Sequence, residues 1–371
     1  MDNNKLIIHV AQTFSGGVAS VILNLIDQQI KQGFSVGIMF PLSESNLVNE
    51  SINEKKIFLF PVKSFSIFKM NQLIGLPIYK IYRKIKKTHK KSKVVIHAHG
   101  TSVIGLIRNI NKLPLVLTIH GINSTKSKIS LLLTDFIIRK VASRKYPIIG
   151  VSEHTCRFYN KRLKQNYILT IHNGTFITKG VPVIKSNLFV IAYIAYIDDF
   201  KGWKYLYSAY KNLDSKLKNE ILLIFAGDGN KSDVKLLTES IINDNESNVM
   251  YLGNVKNANS VLVPFVNLIV LPSISEGLSM TLIESLGNSI PILATNVGGT
   301  PEILHDSETG LFIERNGENI NQKIKLIYHD KELYQRISRK AREYFTKNFT
   351  ADTMADSYEN IYFEVFTKND K

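Results

Sequence analysis

The chain has 371 residues, 44% hydrophobic and 21% charged, a composition typical of packed globular domains rather than of disordered chains. This length exceeds what one ordinary core needs, so we expect two domains of about 180 residues each. Cys156 is the single cysteine, which excludes a disulfide within the chain and suits the cytosol. Because no apolar stretch reaches about 20 residues and no secretory leader is evident, we expect a protein on the cytoplasmic side of a membrane.

The net charge of +16 is unevenly distributed along the chain. Residues 1–180 carry 27 Lys and Arg against 7 Asp and Glu, a balance of +20, whereas residues 181–371 carry 20 against 24, a balance of −4. The two halves are therefore expected to bind different partners.

Strand-like and helix-like segments alternate along the chain, which predicts an α/β fold with parallel sheets. The first predicted strand, Leu6–Ala11, leads through Gly16 and Gly17 into an amphipathic helix over 18–32. A glycine pair at such a turn lets the backbone approach a ligand closely. Further strands are predicted over 36–40, 57–60, 94–99, 115–120, 188–196, 224–226, 268–272 and 291–295.

Residues 68–93 join an aromatic and aliphatic stretch to a run of eight basic residues without an acid: Lys80, Arg83, Lys84, Lys86, Lys87, Lys90, Lys91 and Lys93. This makeup is typical of a helix lying in an anionic membrane interface. An ordinary packed helix with a solvated basic face is the alternative. The segment has no nucleic-acid reader motif, so we expect no nucleic-acid partner.

Two predicted strands end in histidine followed by glycine, at His99 and at His120. His97 and His99 share one strand face, so a metal site that includes His120 is conceivable. No carboxylate or cysteine supports such a site in the sequence. We therefore expect neither a metal nor a cofactor.

The most informative stretch runs from Ser275 to Glu284, between a predicted buried strand and a predicted helix. Glu284 could accept hydrogen bonds from vicinal hydroxyls such as those of a ribose, and Glu276 could do the same for a sugar. Two solvated acids on a helix surface are the alternative. Because unpaired amides and the macrodipole at a helix start favour a diphosphate, we expect it to bind at the amides of Gly277, Leu278, Ser279 and Met280.

The order of these residues resembles the pattern of the family 4 retaining glycosyltransferases of the GT-B fold. It runs from Pro272-Ser273 through Glu276-Gly277 and Glu284 to Pro291, Gly298-Gly299 and Glu302. The resemblance implies an α/β protein with two Rossmann-like domains that face each other across a cleft. Residues 1–180 would form the acceptor-side domain and 181–350 the nucleotide-sugar domain, and a helix in 351–371 would cross back to the first.

The resemblance also implies an activity and the residues that carry it. A sugar, most commonly from a UDP-sugar, would be transferred with retention to a hydroxyl of a glycan or polyprenyl-linked acceptor in cell-surface polysaccharide synthesis, without a metal. Glu276, His120 and Lys201 would be catalytic, and Gly16 and Gly17 would approach the phosphates. His99 would lie on the acceptor side. The enzyme would be peripheral on the inner face of the cell membrane.

One departure from the pattern concerns the donor site. Tyr196 stands where the family has an arginine, and a phenol offers one neutral hydrogen bond where a guanidinium offers bidentate charge. Asp198 and Asp199 are interpreted as turn residues. A catalytically silent partner or scaffold of the same fold, or a non-hydrolysing sugar-nucleotide epimerase, are therefore alternatives.

Overall fold

The structure is a computed structural model that describes residues 5–51, 57–62, 82–87, 92–104, 113–122, 128–177 and 179–368. The chain divides into two compact units, Met1–Gly174 with Ala351–Lys371, and Thr175–Thr350. Each unit is built on one sheet whose neighbouring strands all run parallel. Two Rossmann-like α/β domains were predicted, and the two sheets confirm them.

The first sheet has seven strands in the order β3-β2-β1-β4-β5-β6-β7. Its central strands are mostly apolar because helices cover both faces of a parallel sheet, and they also carry the buried histidines His9, His97 and His99. The strands are β1 Lys5–Ala11, β2 Ser35–Pro41, β3 Phe58–Val62, β4 Lys93–His99, β5 Leu115–Ile119, β6 Ile148–Gly150 and β7 Ile168–Thr170. Its helices are Gly16–Lys31, Leu42–Glu44 (a 3-10 turn), Ser45–Ser51, 82–87, Thr101–Ile104, Lys128–Ala142, Glu153–Leu163 and Ala351–Lys368.

The second sheet has six strands in the order β10-β9-β8-β11-β12-β13. These are β8 Phe189–Ile194, β9 Ile221–Ala226, β10 Val249–Tyr251, β11 Leu268–Leu271, β12 Ile292–Thr295 and β13 Leu311–Ile313. The helices of this unit are Trp203–Lys211, Ser215–Glu220, Lys231–Asn243, Ala258–Val261, Met280–Gly287, Gly317–His329 and Lys331–Asn348, with 3-10 turns at Val263–Phe265 and Thr300–Glu302.

Both sheets have a point at which the strand order reverses. In the first sheet this point lies between β1 and β4, and in the second between β8 and β11. Helices on either side of such a point diverge, which leaves a crevice beyond the carboxyl ends of the two strands. The segments that follow β1, β4, β8 and β11 border these two crevices.

The helix Ala351–Lys368 belongs to the first unit although it ends the described chain. Gln28 Nε2 donates to Asp352 Oδ1 at 2.6 Å, and the rings of Phe34 and Phe366 stack with centroids 6.2 Å apart. Tyr358 and Tyr362 are fully buried against the sheet of this unit. The helix therefore completes the core of the first unit.

The predicted membrane-interface segment, 68–93, lies mostly outside the described residues. Its described part is helical over 82–87, where Ile85 is buried and the basic side chains Arg83, Lys84, Lys86 and Lys87 are exposed. Within the described residues, no helix has the length and hydropathy needed to cross a membrane.

Candidate active site

Two side chains predicted to bind a ligand form an ion pair beyond the carboxyl ends of β8 and β11. Lys201 follows β8, and Glu276 follows β11. The Lys201 Nζ atom lies 2.8 Å from each carboxylate oxygen of Glu276. The two residues are 75 positions apart in the chain, and sequence reasoning did not predict that they pair.

Further contacts hold the carboxylate of Glu276 in one orientation. The hydroxyl of Ser273 donates to Oε1 at 2.7 Å, and the side chain is only 8% exposed. Oε1 thus accepts two hydrogen bonds from the protein, whereas Oε2 accepts one from Lys201. A carboxylate fixed in this way retains lone pairs for a hydroxyl of a ligand.

Gly298 and Gly299, the glycine pair of the sequence pattern, lie where the backbone passes close to Glu276. The Gly299 amide donates to the Glu276 carbonyl at 3.1 Å. Gly298 has a φ of +58°, and a Cβ atom there would lie 2.0 Å from the same carbonyl oxygen. A residue with a side chain would therefore displace the loop that carries Glu276.

The loop that carries Lys201 is equally constrained. The Asp198 carboxylate accepts a hydrogen bond from the Lys201 amide at 2.7 Å, as expected of a turn residue. Gly202 has a φ of +80°, and a Cβ atom there would lie 2.2 Å from the Pro272 carbonyl oxygen. This loop therefore packs directly on the segment that leaves β11.

Glu284 lies in the second turn of the helix Met280–Gly287 and is only 7% exposed. Within the described residues its carboxylate has no hydrogen-bond partner, and the bonds that Asn288 donates to Glu284 go to its backbone carbonyl. Burial raises the pKa of Glu284 to about 8. A buried carboxyl without a protein partner is costly, so a ligand that donates hydrogen bonds would stabilise it.

The start of this helix is available for an anion. Ser279 is the N-cap residue in extended conformation, and within the described part of the chain its side chain makes no capping hydrogen bond. The hydroxyl of Thr281 donates to the carbonyl of Ile194 at 3.0 Å, which ties the helix to the end of β8. Gly277 and Leu278 lie in the loop just before this helix start, and Met280 is its first residue. The predicted donor-binding residues of this unit thus cluster between two strand ends.

Tyr196 and Arg315 show how this site differs from the family pattern. The Tyr196 side chain is 47% exposed, and its carbonyl accepts a hydrogen bond from the Tyr193 hydroxyl at 2.9 Å. Arg315, which sequence reasoning missed, donates from Nε to the Pro272 carbonyl at 3.1 Å and also bonds to the carbonyl of Asp199. Arg315 therefore bridges the two loops. Arg315 lies two residues after β13, and no motif in the sequence there indicates that it bridges these loops.

In the first unit, Gly16 and Gly17 begin the helix Gly16–Lys31, which follows β1. Gly16 has a φ of +62°, and no described atom lies within 4 Å of a Cβ atom built on it. The backbone conformation, rather than crowding, therefore favours glycine here. The open space beside it fits the predicted approach to a ligand.

The histidines of the first unit form a buried cluster. His99 is hydrogen-bonded through Nδ1 to His120 and through Nε2 to His9, both at 2.9 Å. His97 is bonded through Nε2 to Thr118 and through Nδ1 to Tyr362, both at 2.8 Å. Among these four histidines, His120 alone is partly exposed. His99 is buried, so it would act on a ligand indirectly, through its hydrogen bond to His120.

The geometry of this cluster favours a hydrogen-bonded network over a metal site. Ligand atoms of His9, His97 and His99 lie within 4.8 Å of one another, so His9 takes the place that sequence reasoning gave to His120. Each ring nitrogen of these three residues already has a hydrogen-bond partner. Burial lowers the pKa of His9 and of His120 to about 4, and the pKa values of His97 and His99 well below their usual range.

Two family descriptions match the two halves of the chain. The sequence model described as "Glycosyltransferase Family 4" matches residues 15–177, and the one described as "Glycosyl transferases group 1" matches residues 177–344. Together the two matches extend over most of the chain.

Curated relatives carry corresponding names. An uncharacterised glycosyltransferase of Methanocaldococcus jannaschii is 25% identical over 86% of this chain and 93% of the relative. The capsular polysaccharide biosynthesis glycosyltransferase CapM of Staphylococcus aureus is 25% identical over 74% of this chain and 77% of its own. An Escherichia coli enzyme named UDP-Gal:α-D-GlcNAc-diphosphoundecaprenol α-1,3-galactosyltransferase is 23% identical over 94% of both chains.

Solved structures of glycosyltransferases share the fold. One from Rickettsia africae superposes with a TM-score of 0.77 at 18% identity and covers 98% of this chain and 99% of its own. Anabaena HepE in complex with UDP and glucose superposes with a TM-score of 0.75 at 18% identity, covering 97% and 99%. These likenesses, the two family matches and the ordered motif around Glu276 agree. The chain belongs to the family 4 glycosyltransferases of the GT-B fold.

Proposed function

We propose that the protein transfers a sugar from a nucleotide-sugar, preferably a UDP-sugar, to a hydroxyl of a glycan or polyprenyl-linked acceptor, with retention of the anomeric configuration. The observation that carries this proposal is the buried carboxyl of Glu284, which has no hydrogen-bond partner among the described residues. Glu284 lies in the helix whose start is uncapped, eight residues after Glu276, the carboxylate that pairs with Lys201. Vicinal hydroxyls of a ribose supply the donors that Glu284 lacks.

The remaining groups fit the other parts of such a donor. The amides at the start of the helix Met280–Gly287 and the Lys201 ammonium would bind the diphosphate. Glu276 would accept hydrogen bonds from the sugar, with its orientation fixed by Ser273. The preference for UDP is supported by the UDP bound to the similarly folded Anabaena protein and by the UDP-Gal in the name of the E. coli relative.

Catalysis would consist mainly of positioning and charge stabilisation. The bond between the anomeric carbon and the diphosphate oxygen breaks, and the acceptor oxygen bonds to the same face of that carbon. The proton of the acceptor hydroxyl passes to the departing phosphate oxygen. In this scheme Lys201 stabilises the leaving diphosphate, and His120 contacts the transferred sugar, without a metal or cofactor.

A titration calorimetry experiment tests the donor site. UDP, GDP, dTDP and ADP are titrated into the wild type, into Glu284→Gln and into Glu318→Gln, a control that changes an exposed acid in the first turn of another helix of the same unit. We expect UDP to bind best, the Glu284→Gln variant to lose at least tenfold in affinity and the control to match the wild type. If none of the nucleotides binds, the catalytically silent alternative takes the place of this proposal.

A polyprenyl-linked acceptor would bring the protein to an anionic membrane surface, and we propose that the first unit binds there through residues 68–93. Support comes from the exposed basic residues of the helix 82–87. A second described helix, Lys128–Ala142, exposes three apolar side chains at helical spacing, Ile129, Leu132 and Phe136. Each basic residue near such a surface contributes about 1 kcal/mol to binding.

Flotation with liposomes containing an anionic lipid tests this surface. Four changes to glutamine, at Arg83, Lys84, Lys86 and Lys87, are compared with four in the second unit, at Lys216, Lys231, Lys235 and Lys256. We expect the first set to abolish co-flotation at moderate salt and the second set to leave it unchanged. Equal flotation of both variants, or none by the wild type, would refute binding through this segment.

A further inference from the structure

A continuous chain of hydrogen bonds runs from His120 to Gln29 inside the first unit. His120 Nε2 lies 2.9 Å from His99 Nδ1, and His99 Nε2 lies 2.9 Å from His9 Nδ1. His9 Nε2 lies 2.8 Å from the amide oxygen of Gln29. The chain links the segments at the ends of β5 and β4 with β1 and the helix Gly16–Lys31, and all of it except His120 is buried.

The amide of Gln29 gives this chain a direction. Its Nε2 donates to the hydroxyl of Tyr362 at 3.0 Å, which turns Oε1 towards His9. An amide oxygen only accepts, so His9 carries its proton on Nε2 and has a bare Nδ1. His99 must then donate from Nε2 to His9, and His120 must donate from Nε2 to His99.

The number of protons agrees with this direction. Burial lowers the pKa of all three histidines, so each is neutral near pH 7 and has one ring proton. Three protons fill the three hydrogen bonds, which leaves His120 Nδ1 without a proton. Because an amide cannot take up a proton at the far end, the chain orients His120 rather than conducting protons.

We infer that Gln29 is a positioning residue that acts through His9 and His99 to hold His120 in the tautomer with a bare Nδ1. His120 then accepts a hydrogen bond from a hydroxyl of its ligand and does not donate one. This inference rests on the proposed function, in which the ligand at His120 is the transferred sugar. The direction of the bond would favour a sugar that offers a hydroxyl at that position.

Replacing Gln29 with leucine should reverse the chain. His9 Nε2 would lose its acceptor, and a buried N–H without a partner is unfavourable. His9 would then donate from Nδ1 to His99, and His99 would donate from Nδ1 to His120. The proton of His120 would move to Nδ1, where it can be hydrated because His120 is partly exposed. The tautomer of His120 would therefore change although Gln29 does not touch it.

Two-bond nitrogen–proton correlation spectra of the full chain with ¹⁵N-labelled histidine measure this directly. The nine histidines are assigned by omission, with His120→Asn for the decisive signal. We expect Nδ1 of His120 to be unprotonated in the wild type and protonated in most molecules of Gln29→Leu. A protonated Nδ1 in the wild type, which the opposite amide orientation would produce, or an unchanged tautomer in Gln29→Leu, overturns the inference.

Matched variants separate positioning from folding. Gln28→Leu removes a neighbouring buried glutamine that bonds to Asp352 instead, and we expect its His120 tautomer to match the wild type. Gln29→Glu keeps an acceptor facing His9 and should preserve the bare Nδ1. If Gln29→Leu fails to fold, the wild-type and Gln29→Glu spectra still decide the direction of the chain.

Activity supplies the second measurement. With UDP-glucose as the probe, we expect Gln29→Leu to lower kcat for UDP release roughly tenfold with little change in KM, and Gln29→Glu to restore it. Equal activity of Gln29→Leu and wild type would overturn the positioning role. The spectra contain no substrate, so absence of UDP release in every variant would refute the proposed function while the tautomer result stands independently.

Discussion

The protonation of Glu284 yields a quantitative prediction for ligand binding. Because burial raises its pKa to about 8, the carboxyl is about 90% protonated at pH 7 without ligand. Ribose hydroxyls that donate to this group stabilise its charged form and lower its pKa. Binding of UDP at pH 7 should therefore release about 0.9 proton per nucleotide, and affinity should rise up to tenfold per pH unit until about pH 8.

Calorimetry in buffers with different ionisation enthalpies measures this proton directly. The observed heat of UDP binding is plotted against the ionisation enthalpy of the buffer, and the slope gives the number of protons exchanged. Glu284→Gln keeps the shape of the side chain but cannot ionise, so its slope should be near zero. A wild type without buffer dependence, or a variant with the same slope as the wild type, would refute the assignment of Glu284 to the ribose.

The same group links the stability of the unliganded protein to pH. The folded-state pKa of Glu284 exceeds its unfolded value of about 4.5, so the folded form binds the proton more tightly. The contribution of Glu284 to the free energy of unfolding is complete below pH 4.5. It is lost as the pH rises to about 8, and the loss is at most about 5 kcal/mol. Urea unfolding should show that Glu284→Gln gains stability relative to the wild type between pH 5 and pH 9; a constant difference would contradict the shifted pKa.

Three further substitutions test the loops around the site. Lys201→Met should weaken UDP binding by about 1–3 kcal/mol in calorimetry, because it removes the cation beside Glu276, whereas Lys204→Met on the following helix should not. Ser289 has a φ of +62°, so Ser289→Gly should stabilise the protein by about 1 kcal/mol in urea unfolding, and a loss of stability would disprove the strain. Gly298→Ala should lower the free energy of unfolding by more than about 3 kcal/mol, since its Cβ would lie 2.0 Å from a carbonyl oxygen. Gly16→Ala, whose Cβ would have no described atom within 4 Å, should lower it by about 1–2 kcal/mol. Equal losses in the two variants would contradict the crowding at Gly298.

The fold followed from local patterns that tertiary contacts do not alter. Apolar runs such as Leu268–Leu271 became buried parallel strands because both faces of such a sheet are covered. The helix start after Glu276 was also predicted correctly from local chemistry, and the left-handed Gly33 follows the C-cap residue of the first long helix. The membrane-interface role of residues 68–93 stays a prediction, since 68–81 and 88–91 lie outside the described part of the chain.

The partners of the functional side chains could not be predicted in the same way. Lys201 and Glu276 were assigned to a ligand, but their pairing depends on β8 and β11 being neighbours at the reversal of the strand order. His9 drew no attention because a histidine in an apolar strand has no motif. Only the register of β1 against β4, which places His9 beside His97, brings it into the cluster.

The charge state of the proposed donor site determines what Tyr196, in place of the family's arginine, requires of the other groups that would bind a diphosphate. Before a ligand binds, Lys201 and Glu276 neutralise each other, and Glu284 is mostly protonated, so the three groups carry almost no net charge. When ribose hydroxyls donate hydrogen bonds to Glu284 and stabilise its ionised form, its proton passes to the solvent and the proposed site gains a negative charge. The family's arginine would offset both that charge and the phosphates. Tyr196 cannot do so, and Arg315 is committed to the carbonyls of Pro272 and Asp199. In the proposed site, the uncapped start of the helix Met280–Gly287 must then supply a larger share of the phosphate binding than in relatives with the arginine.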